Sequence, residues 1–234
     1  FDIDTGGVRA RSAGGAVMLD GAIAQVAHAA HADGFLVQAM ADDGPALCHV
    51  PKGAAGLRID SRTTVDGRDH GNLVLCDVRG HRVLGPGASS SAIARLHDLA
   101  LVMASAELAG VMGAALDITV EYLKIRKQFG KPIGSFQALQ HRAVDAFTSI
   151  ASTRSLLFQI AAQGEAIGPA MASALKAHAS GEALKVTKSA IQMHGAIGFT
   201  DEHDIGLYLK RAMWLSAYLG NEAFHRSRFV AASV

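Results

Sequence analysis

Apolar residues in the first part of the chain come in short runs that are separated by turn residues. Several runs alternate apolar and polar positions with a period of two, which is typical of half-buried strands. Asp20-Gly21 and Asp43-Gly44 have the composition of hairpin or tight turns. Six short strands at this spacing predict an antiparallel barrel or sandwich. The predicted strands cover residues 8–11, 16–19, 34–40, 46–50, 57–60 and 72–78.

Apolar residues in the rest of the chain recur at helical spacing. Leucines and methionines recur at helical spacing between residue 93 and about 127, after three serines at 89–91 that are suitable N-caps. Gly130 and Pro132 are expected to end this helix. Long helices joined by short loops predict an antiparallel four-helix bundle. The remaining helices are predicted at residues 135–163, 170–194, 202–219 and 221–229.

Composition changes at the same place as the periodicity. Residues 1–89 contain no glutamate, and their acids are all aspartates, whereas glutamate occurs throughout the rest. Aspartate and glycine favour turns, while alanine, leucine, lysine and glutamate favour helices. We therefore predict an α+β protein with a small β-domain at residues 1–88 and a helical bundle domain at residues 89–234.

Charge and composition exclude several classes of protein. Half of the 234 residues are hydrophobic, 18% are charged, and the net charge is +1. This balance argues against a disordered chain and gives no basic surface for nucleic acid or an anionic membrane. Cys48 and Cys76 lack the spacing of a metal site and are expected to be buried free thiols. No signal peptide or bilayer-length apolar run is evident, so we expect a cytoplasmic protein. Because the chain starts at Phe1 rather than Met, we expect a chain that is processed, truncated or part of a longer protein.

Two loops of the predicted bundle carry candidate chemistry. The first reads Arg126-Lys127-Gln128-Phe129-Gly130 and continues to Gln137, and the second contains Gln192-Met193-His194-Gly195-Ala196. Taken singly, the first could be a helix C-terminus with Gly130 as its cap, and the second a loose turn between helices. Together, in this order and spacing, the two loops point to a shared ligand.

The pair resembles the acyl-CoA dehydrogenase family, which has an Arg-x-x-Phe-Gly loop and a Gln-x-x-Gly-Gly-x-Gly segment at these places. The β-domain segments at residues 16–37 and 56–85 are also similar to that family, whose N-terminal helical domain is absent here. The resemblance implies an FAD cofactor. It places Arg126 at the pyrophosphate, Phe129 beside the adenine and Gln137 in a hydrogen bond. Gln192, with the Gly195-Ala196 backbone, would line the pyrophosphate and ribose, Ala196 replacing a glycine.

The resemblance fails at the flavin ring. The family usually presents Trp-Ile-Thr there, with the Trp shielding the ring and the Thr bonding to N5. The aligned residues in this chain are Gln25, Val26 and Ala27. Both ring contacts are therefore expected to be lost from this chain.

The resemblance also fails at the catalytic base. The family's usual glutamate aligns with Leu219, and the alternative position on the first bundle helix aligns with Met103, so both are apolar. Glu107 lies one helical turn beyond Met103 and is a weak candidate for the base. It could equally be a surface carboxylate neutralised by solvent or Arg95. His194 and His203 flank the second loop and are expected to be structural.

Two functions follow from this pattern. The chain could be an FAD-dependent acyl-CoA dehydrogenase that oxidises an acyl-CoA thioester at Cα–Cβ. It could instead be a non-catalytic subunit that keeps the FAD-diphosphate loops and joins a catalytic sister chain. The resemblance implies either an α2β2 assembly with that sister or a homotetramer. Paired subunits of this kind act on steroid side chains, which suggests a bulky CoA thioester.

Overall fold

The computed structural model describes residues 7–233, which divide into two units between Leu96 and His97. The division falls inside the first long helix, α1 (Pro86–Ile125), whereas the composition changes at residues 87–89. The domain boundary at residue 88 stays a prediction. Residue 88 lies inside α1, since this helix begins at Pro86. The two units are described separately below.

The first unit contains six strands within the described residues. All six predicted strands are present, and each is longer than its apolar run. The strands are β1 (Val8–Ala13), β2 (Ala16–Ala27), β3 (Gly34–Ala41), β4 (Gly44–Pro51), β5 (Leu57–Thr63) and β6 (Asp69–Leu84). β1 pairs with β2 and β3, β3 with β4, β4 with β6, and β6 with β2, so five strands close into a ring. β5 adds to β6.

The sheet differs from the prediction in two respects. β1 and β3 are parallel, so the sheet is not wholly antiparallel. Asp20-Gly21 is not a turn but lies inside β2, where Gly21 pairs with Val8 on one side and Leu75 on the other. Gly21 has a φ of 144°, and a Cβ there would collide with the Gly7 carbonyl oxygen. Glycine is needed here for close strand approach rather than for a reversal of the chain.

The predicted turn near Asp43 is confirmed. Ala41 pairs with Gly44 across a two-residue loop. Arg82 on β6 holds this loop, because its two terminal nitrogens donate to the Asp43 carboxylate oxygens at 2.6 and 2.7 Å. This ion pair keeps the pKa of the Asp43 carboxyl below its usual value.

The core of the first unit lies inside the ring of strands. Along β3, Phe35, Val37 and Ala39 are buried, while Leu36 between them is exposed. This alternation is the period of two that the sequence shows. Cys48 is buried in the same core, but Cys76 is exposed, so the expectation of two buried thiols is wrong for Cys76.

The second unit is helical. Its helices are α1, α2 (Gln137–Ala161), α3 (Pro169–His194), α4 (Ile205–Ala217) and α5 (Glu222–Ser233). α1 begins at Pro86, so the serines at 89–91 are not N-caps. Instead, Ser89 Oγ donates to the Leu84 and Gly85 carbonyls at 3.0 and 2.8 Å. α5 has the predicted cap, since the Phe224 N–H donates to Asn221 Oδ1 at 2.9 Å.

Helices α1 to α4 share one apolar core. Leu108 and Met112 of α1 pack with Ile150 of α2, Val186 of α3 and Leu215 of α4. All five side chains are almost fully buried. The helical second domain of the prediction is therefore present, with α5 as a fifth helix.

The prediction that no apolar run approaches the length of a bilayer span is wrong for helix α1. Among the described residues, α1 alone is long and apolar enough to cross a membrane by length and composition. Half of its most apolar window is buried inside the protein. A buried core helix of a soluble protein meets the same criterion.

Candidate functional site

The first predicted loop forms a short β-hairpin. α1 ends at Ile125, and β7 (Lys127–Gln128) pairs with β8 (Lys131–Pro132). The two turn residues, Phe129 and Gly130, both have positive φ angles, of 53° and 78°. Two consecutive positive φ angles are the geometry of a type I′ hairpin turn. Gly130 therefore serves the hairpin and does not cap the helix.

Phe129 is held in the left-handed region that an aromatic residue rarely adopts. Its side chain is 90% exposed and touches the Phe136 ring only edge-on, with 6.0 Å between ring centres. Lys131 Nζ lies 4.4 Å from the centre of the same Phe136 ring. The hairpin thus presents an aromatic side chain at its tip, and such strain is found most often where a backbone has a binding role.

The second predicted loop follows α3 directly. Gly195 has a φ of 67°, and a Cβ on Gly198 would lie 2.8 Å from the Ile191 carbonyl oxygen, so both positions require glycine. Ala196 between them has no positive φ, so its methyl group is compatible with the local backbone. The replacement of the family's second glycine by Ala196 is therefore tolerated.

One open cleft of about 640 Å³ brings the two loops together. Arg126 from the first loop lines it, together with Gln192, Gly195 and Ala196 from the second. The cleft has a mainly apolar lining, to which an exposed guanidinium, two glutamine side chains and the Glu202 carboxylate add polar groups. A guanidinium binds phosphate groups through forked hydrogen bonds, and carboxylates and amides bind hydroxyls.

Two of the predicted cofactor residues lie outside this lining. Phe129 is at the hairpin tip, and Gln137 is the exposed first residue of α2. The lining also includes residues that the sequence patterns do not single out, among them Tyr122, Thr200 and Glu202.

Two residues of the cleft lining, Tyr122 and the buried His194, form a ring cluster with His203. The rings of Tyr122 and His194 stack with centres 4.5 Å apart, and His203 lies 4.4 Å from His194. His194 Nδ1 lies 2.8 Å from the Ala190 carbonyl oxygen, while its Nε2 is buried and has no hydrogen-bond partner among residues 7–233. Burial lowers the pKa of His194, so the ring is neutral with its proton on Nδ1. An unsatisfied buried acceptor at a cleft wall is a feature of ligand sites.

Glu107 is held by an arginine. Arg211 Nε donates to Glu107 Oε1 at 2.7 Å, and Arg211 Nη2 donates to Oε2 at 2.9 Å. Arg211 also lies over the Trp214 ring, 4.6 Å from its centre. Arg211 is a partner of Glu107 that the sequence patterns do not single out. A carboxylate that accepts hydrogen bonds on both oxygens is poorly placed to take a proton. The geometry therefore favours the role of Glu107 as a surface carboxylate in an ion pair over its role as a catalytic base.

The turn between α4 and α5 occupies the position of the family's usual base. Leu219 has a φ of 61°, and Gly220 has a φ of 108°. The Leu219 side chain is buried in an apolar cluster with Leu101 and Ala172. No proton acceptor is therefore provided by the side chain at position 219.

Two buried basic residues that the sequence does not reveal hold this turn. Lys176 is fully buried, and its Nζ donates to Ser180 Oγ, the Gly220 carbonyl and the Ser216 carbonyl at 3.0, 3.0 and 3.3 Å. His225 Nε2 lies 2.9 Å from the Leu219 carbonyl oxygen. Burial lowers the pKa of Lys176 to about 8 and that of His225 to about 4.

The first unit contains the residues that align with the flavin-ring contacts. Gln25 has a φ of 56°, at an irregularity in the pairing of β2 with β6 between Ile23 and Val26. Its backbone N–H donates to Asn72 Oδ1 at 3.0 Å. Gln25, Val26 and Ala27 supply neither the Trp ring nor the Thr hydroxyl of the family.

The helical unit identifies the family. The sequence model described as "Acyl-CoA dehydrogenase, C-terminal domain" matches residues 91–234, which is more than half of the chain. The chain therefore belongs to the acyl-CoA dehydrogenase family. The match covers both loops of the cleft and the α4–α5 turn.

Several relatives and solved structures are similar to this chain. The chain is 44% identical over 126 residues to acyl-CoA dehydrogenase IpdE2 of Mycolicibacterium smegmatis, covering 53% of this chain and 39% of the relative. Its fold is similar to a variant of the Tcur3481-Tcur3483 steroid ACAD (TM-score 0.87, 32% identity, 97% of this chain and 62% of that one). It is also similar to the ChsE4-ChsE5 complex from Mycobacterium tuberculosis (TM-score 0.89, 27% identity, 98% and 63%). The chain thus spans less than two thirds of each of these proteins.

Proposed function

We propose that this chain is a subunit of a cytoplasmic, FAD-dependent acyl-CoA dehydrogenase that oxidises an acyl-CoA thioester at Cα–Cβ. Its contribution is the binding of the FAD diphosphate in the two-loop cleft. The observation that carries this proposal is the convergence of Arg126, Gln192, Gly195 and Ala196 on one cavity, although the loops are more than sixty residues apart. Four helices around one core support the antiparallel bundle from which these loops emerge.

The cleft fits a nucleotide diphosphate on its own chemistry. Arg126 would pair with the pyrophosphate, and Glu202 and Gln192 would hydrogen-bond to ribose hydroxyls. The His194 Nε2 acceptor has no hydrogen-bond partner in the described part of the chain. FAD, when bound, supplies the acceptor for the β-hydride. The residues of this chain bind and orient the cofactor.

We propose further that this chain is the non-catalytic partner of a sister dehydrogenase subunit in an α2β2 assembly. Leu219 and Met103 cannot take a proton, and Glu107 is committed to Arg211. Two structural neighbours are themselves described by pairs of chains, Tcur3481-Tcur3483 and ChsE4-ChsE5, which supports such a pairing. The first of these is described as a steroid ACAD, so a CoA thioester with a bulky or steroid side chain is the proposed substrate.

The alternative is a structural partner subunit with no flavin chemistry of its own. The replacement of the flavin-ring residues by Gln25, Val26 and Ala27 favours this second function. A homotetramer in which every chain is catalytic would require a base that these residues do not supply.

A co-expression experiment separates these functions. The chain is produced alone and together with the product of the neighbouring gene, and flavin absorbance and acyl-CoA-dependent reduction of an electron acceptor are measured. We expect FAD and turnover only in the complex. In that complex, Arg126→Ala should reduce FAD content, while Arg142→Ala, which removes an exposed arginine outside the cleft, should leave it unchanged. Turnover by the chain alone would refute the non-catalytic assignment, and an FAD-free complex would refute the cofactor.

A further inference from the structure

The two-loop cleft contains opposite charges that do not pair with each other. Arg126 and Glu202 both line it, and both residues are exposed. Neither forms an ion pair with another residue in the range 7–233. Charged side chains that converge on a cavity without neutralising each other are available to a ligand that has a complementary group for each. The cleft therefore suits a molecule that has an anionic part and a part that donates hydrogen bonds.

Glu202 is held beside the second loop by contacts on both sides of it in the chain. On one side, the Thr200 N–H and the Thr200 hydroxyl donate to the Ile197 carbonyl oxygen at 3.1 and 2.9 Å. On the other side, the centre of the His203 ring lies 4.4 Å from that of the His194 ring. Because both ends of this short segment contact the loop, the Glu202 side chain is presented to the cleft from a fixed backbone.

The proposed reaction involves two compounds that contain an adenosine diphosphate group. FAD has free hydroxyls on its adenosine ribose, whereas CoA has a phosphate on the 3′ oxygen of that ribose. Arg126 would bind the diphosphate of either compound, because forked hydrogen bonds to this group do not distinguish them. Selection of FAD therefore depends on the group that faces the ribose.

A carboxylate that faces the ribose distinguishes the two compounds by charge. It accepts hydrogen bonds from the free hydroxyls of FAD, but it repels the negatively charged 3′-phosphate of CoA. Acidic residues that bind ribose hydroxyls select NAD in the same way, whereas an arginine accommodates the ribose phosphate of NADP. Glu202 supplies such a carboxylate to this cleft.

We infer that Glu202 is a specificity-determining residue that makes the two-loop cleft accept FAD and reject CoA. The inference rests on the proposed function, because it concerns the same cleft and the same cofactor. It gives Glu202 a role that Arg126 does not fulfil, namely the exclusion of a substrate that is present whenever the enzyme works. Without this exclusion, CoA and its thioesters would compete with FAD for the cleft.

Competition for the cleft tests this inference. The complex of this chain with its sister dehydrogenase is stripped of FAD, and FAD rebinding is followed by flavin fluorescence in the presence of CoA or dephospho-CoA. These two competitors differ only in the 3′-phosphate. We expect CoA to compete about tenfold more weakly than dephospho-CoA with the wild-type complex, because its phosphate meets a like charge. CoA bound at the substrate site affects all variants equally, so the comparison between variants reports on the cleft.

Two variants of Glu202 separate charge from hydrogen bonding. Glu202→Gln keeps an acceptor for the ribose hydroxyls but removes the charge, so CoA and dephospho-CoA should compete equally well. Glu202→Lys should reverse the order, so that CoA competes about tenfold better than dephospho-CoA. Asp201→Asn is the matched control and should keep the wild-type ratio. It removes a charge from the next residue, whose carboxylate lies 3.7 Å from Lys210 Nζ and outside the cleft lining.

The possible outcomes separate this inference from the proposed function. A complex that contains no FAD as purified would refute the cofactor, and the inference with it. A complex that binds FAD would overturn the inference alone if the wild type did not distinguish the two competitors, or if neither compound competed. An unchanged ratio in Glu202→Gln, or an equal change in Asp201→Asn, would also overturn it, because the carboxylate in the cleft would then not be the cause.

Discussion

The two-loop cleft and the α4–α5 turn lie in the same helical unit, yet they differ in what they retain. The cleft keeps side chains that suit a nucleotide diphosphate, including Arg126 and Gln192. The turn keeps an unusual backbone, with positive φ angles at Leu219 and Gly220, but no acid. Its shape is maintained by Lys176 and His225, whose hydrogen bonds go to backbone carbonyls rather than to the side chain at 219. The form of this turn therefore does not depend on an acid at position 219.

The largest expected effect is a loss of stability when the α4–α5 turn is disrupted and the cleft is left intact. Lys176→Ala removes three hydrogen bonds and leaves a cavity and two unsatisfied carbonyls, so we expect the free energy of unfolding to fall by about 3 kcal/mol or more. Urea titration measures this loss. Lys188→Ala, an exposed lysine on the same helix, is the control and should change stability by less than about 0.5 kcal/mol. Equal stability of the two variants would show that Lys176 does not hold the turn.

The dependence of folding stability on pH tests the same lysine without removing its hydrogen bonds by mutation. The pKa of Lys176 is lowered from 10.5 to about 8 in the folded protein. Between these values the unfolded chain binds more protons, so folding stability from this group should rise with pH from 8 to 10.5, by up to about 3 kcal/mol. Below pH 8 Lys176 is protonated in both the folded and the unfolded chain, so this gain in folding stability is absent there. The stability difference between wild type and Lys176→Met should grow over that range, and a flat difference would contradict the buried ammonium.

His225 predicts a separate step at lower pH. Its pKa falls from 6.5 to about 4, with burial as the main cause. The stability from neutral His225 is complete above pH 6.5 and lost as the pH falls towards 4. His225→Gln should therefore flatten the acid side of the profile and leave the step above pH 8 in place.

The smallest expected effect concerns the hairpin beside the cleft. Phe129→Gly removes an aromatic residue from a left-handed backbone, so the isolated chain should become about 0.5–1 kcal/mol more stable. If Phe129 contacts the adenine of FAD, the same change should lower FAD content in the complex. Phe199→Gly, another highly exposed phenylalanine without a positive φ, should not be stabilised. Calorimetry of both variants distinguishes the two positions.

Local patterns predicted most of the fold because each element follows from its own residues. β3 alternates as its sequence does, and the core positions of α1 repeat at helical spacing. Asp20-Gly21 misled the prediction because the same dipeptide serves a turn and a close approach of strands. The bilayer-length apolar character of α1 was missed because its apolar residues are interrupted by small and polar ones.

The candidate site was predictable only in part. Arg126 and Gln192 could be proposed from two loops with a familiar spacing, and the structure places them on one cleft. The Glu107–Arg211 ion pair joins residues 104 positions apart, which no local pattern reveals. Lys176 reads as a surface lysine of a helix, since nothing nearby in the sequence shows that carbonyls of a distant turn surround it. Tertiary neighbours decide such roles.

The FAD content and turnover of the complex test the central claim most directly. The complex of this chain with its sister dehydrogenase is purified with wild-type Arg126 and with Arg126→Ala, and bound FAD is quantified by absorbance alongside acyl-CoA-dependent turnover. We predict that Arg126→Ala reduces FAD content and turnover together, although this chain has no base at position 219. Full FAD occupancy with Arg126→Ala, or turnover by this chain without its sister, would contradict the account.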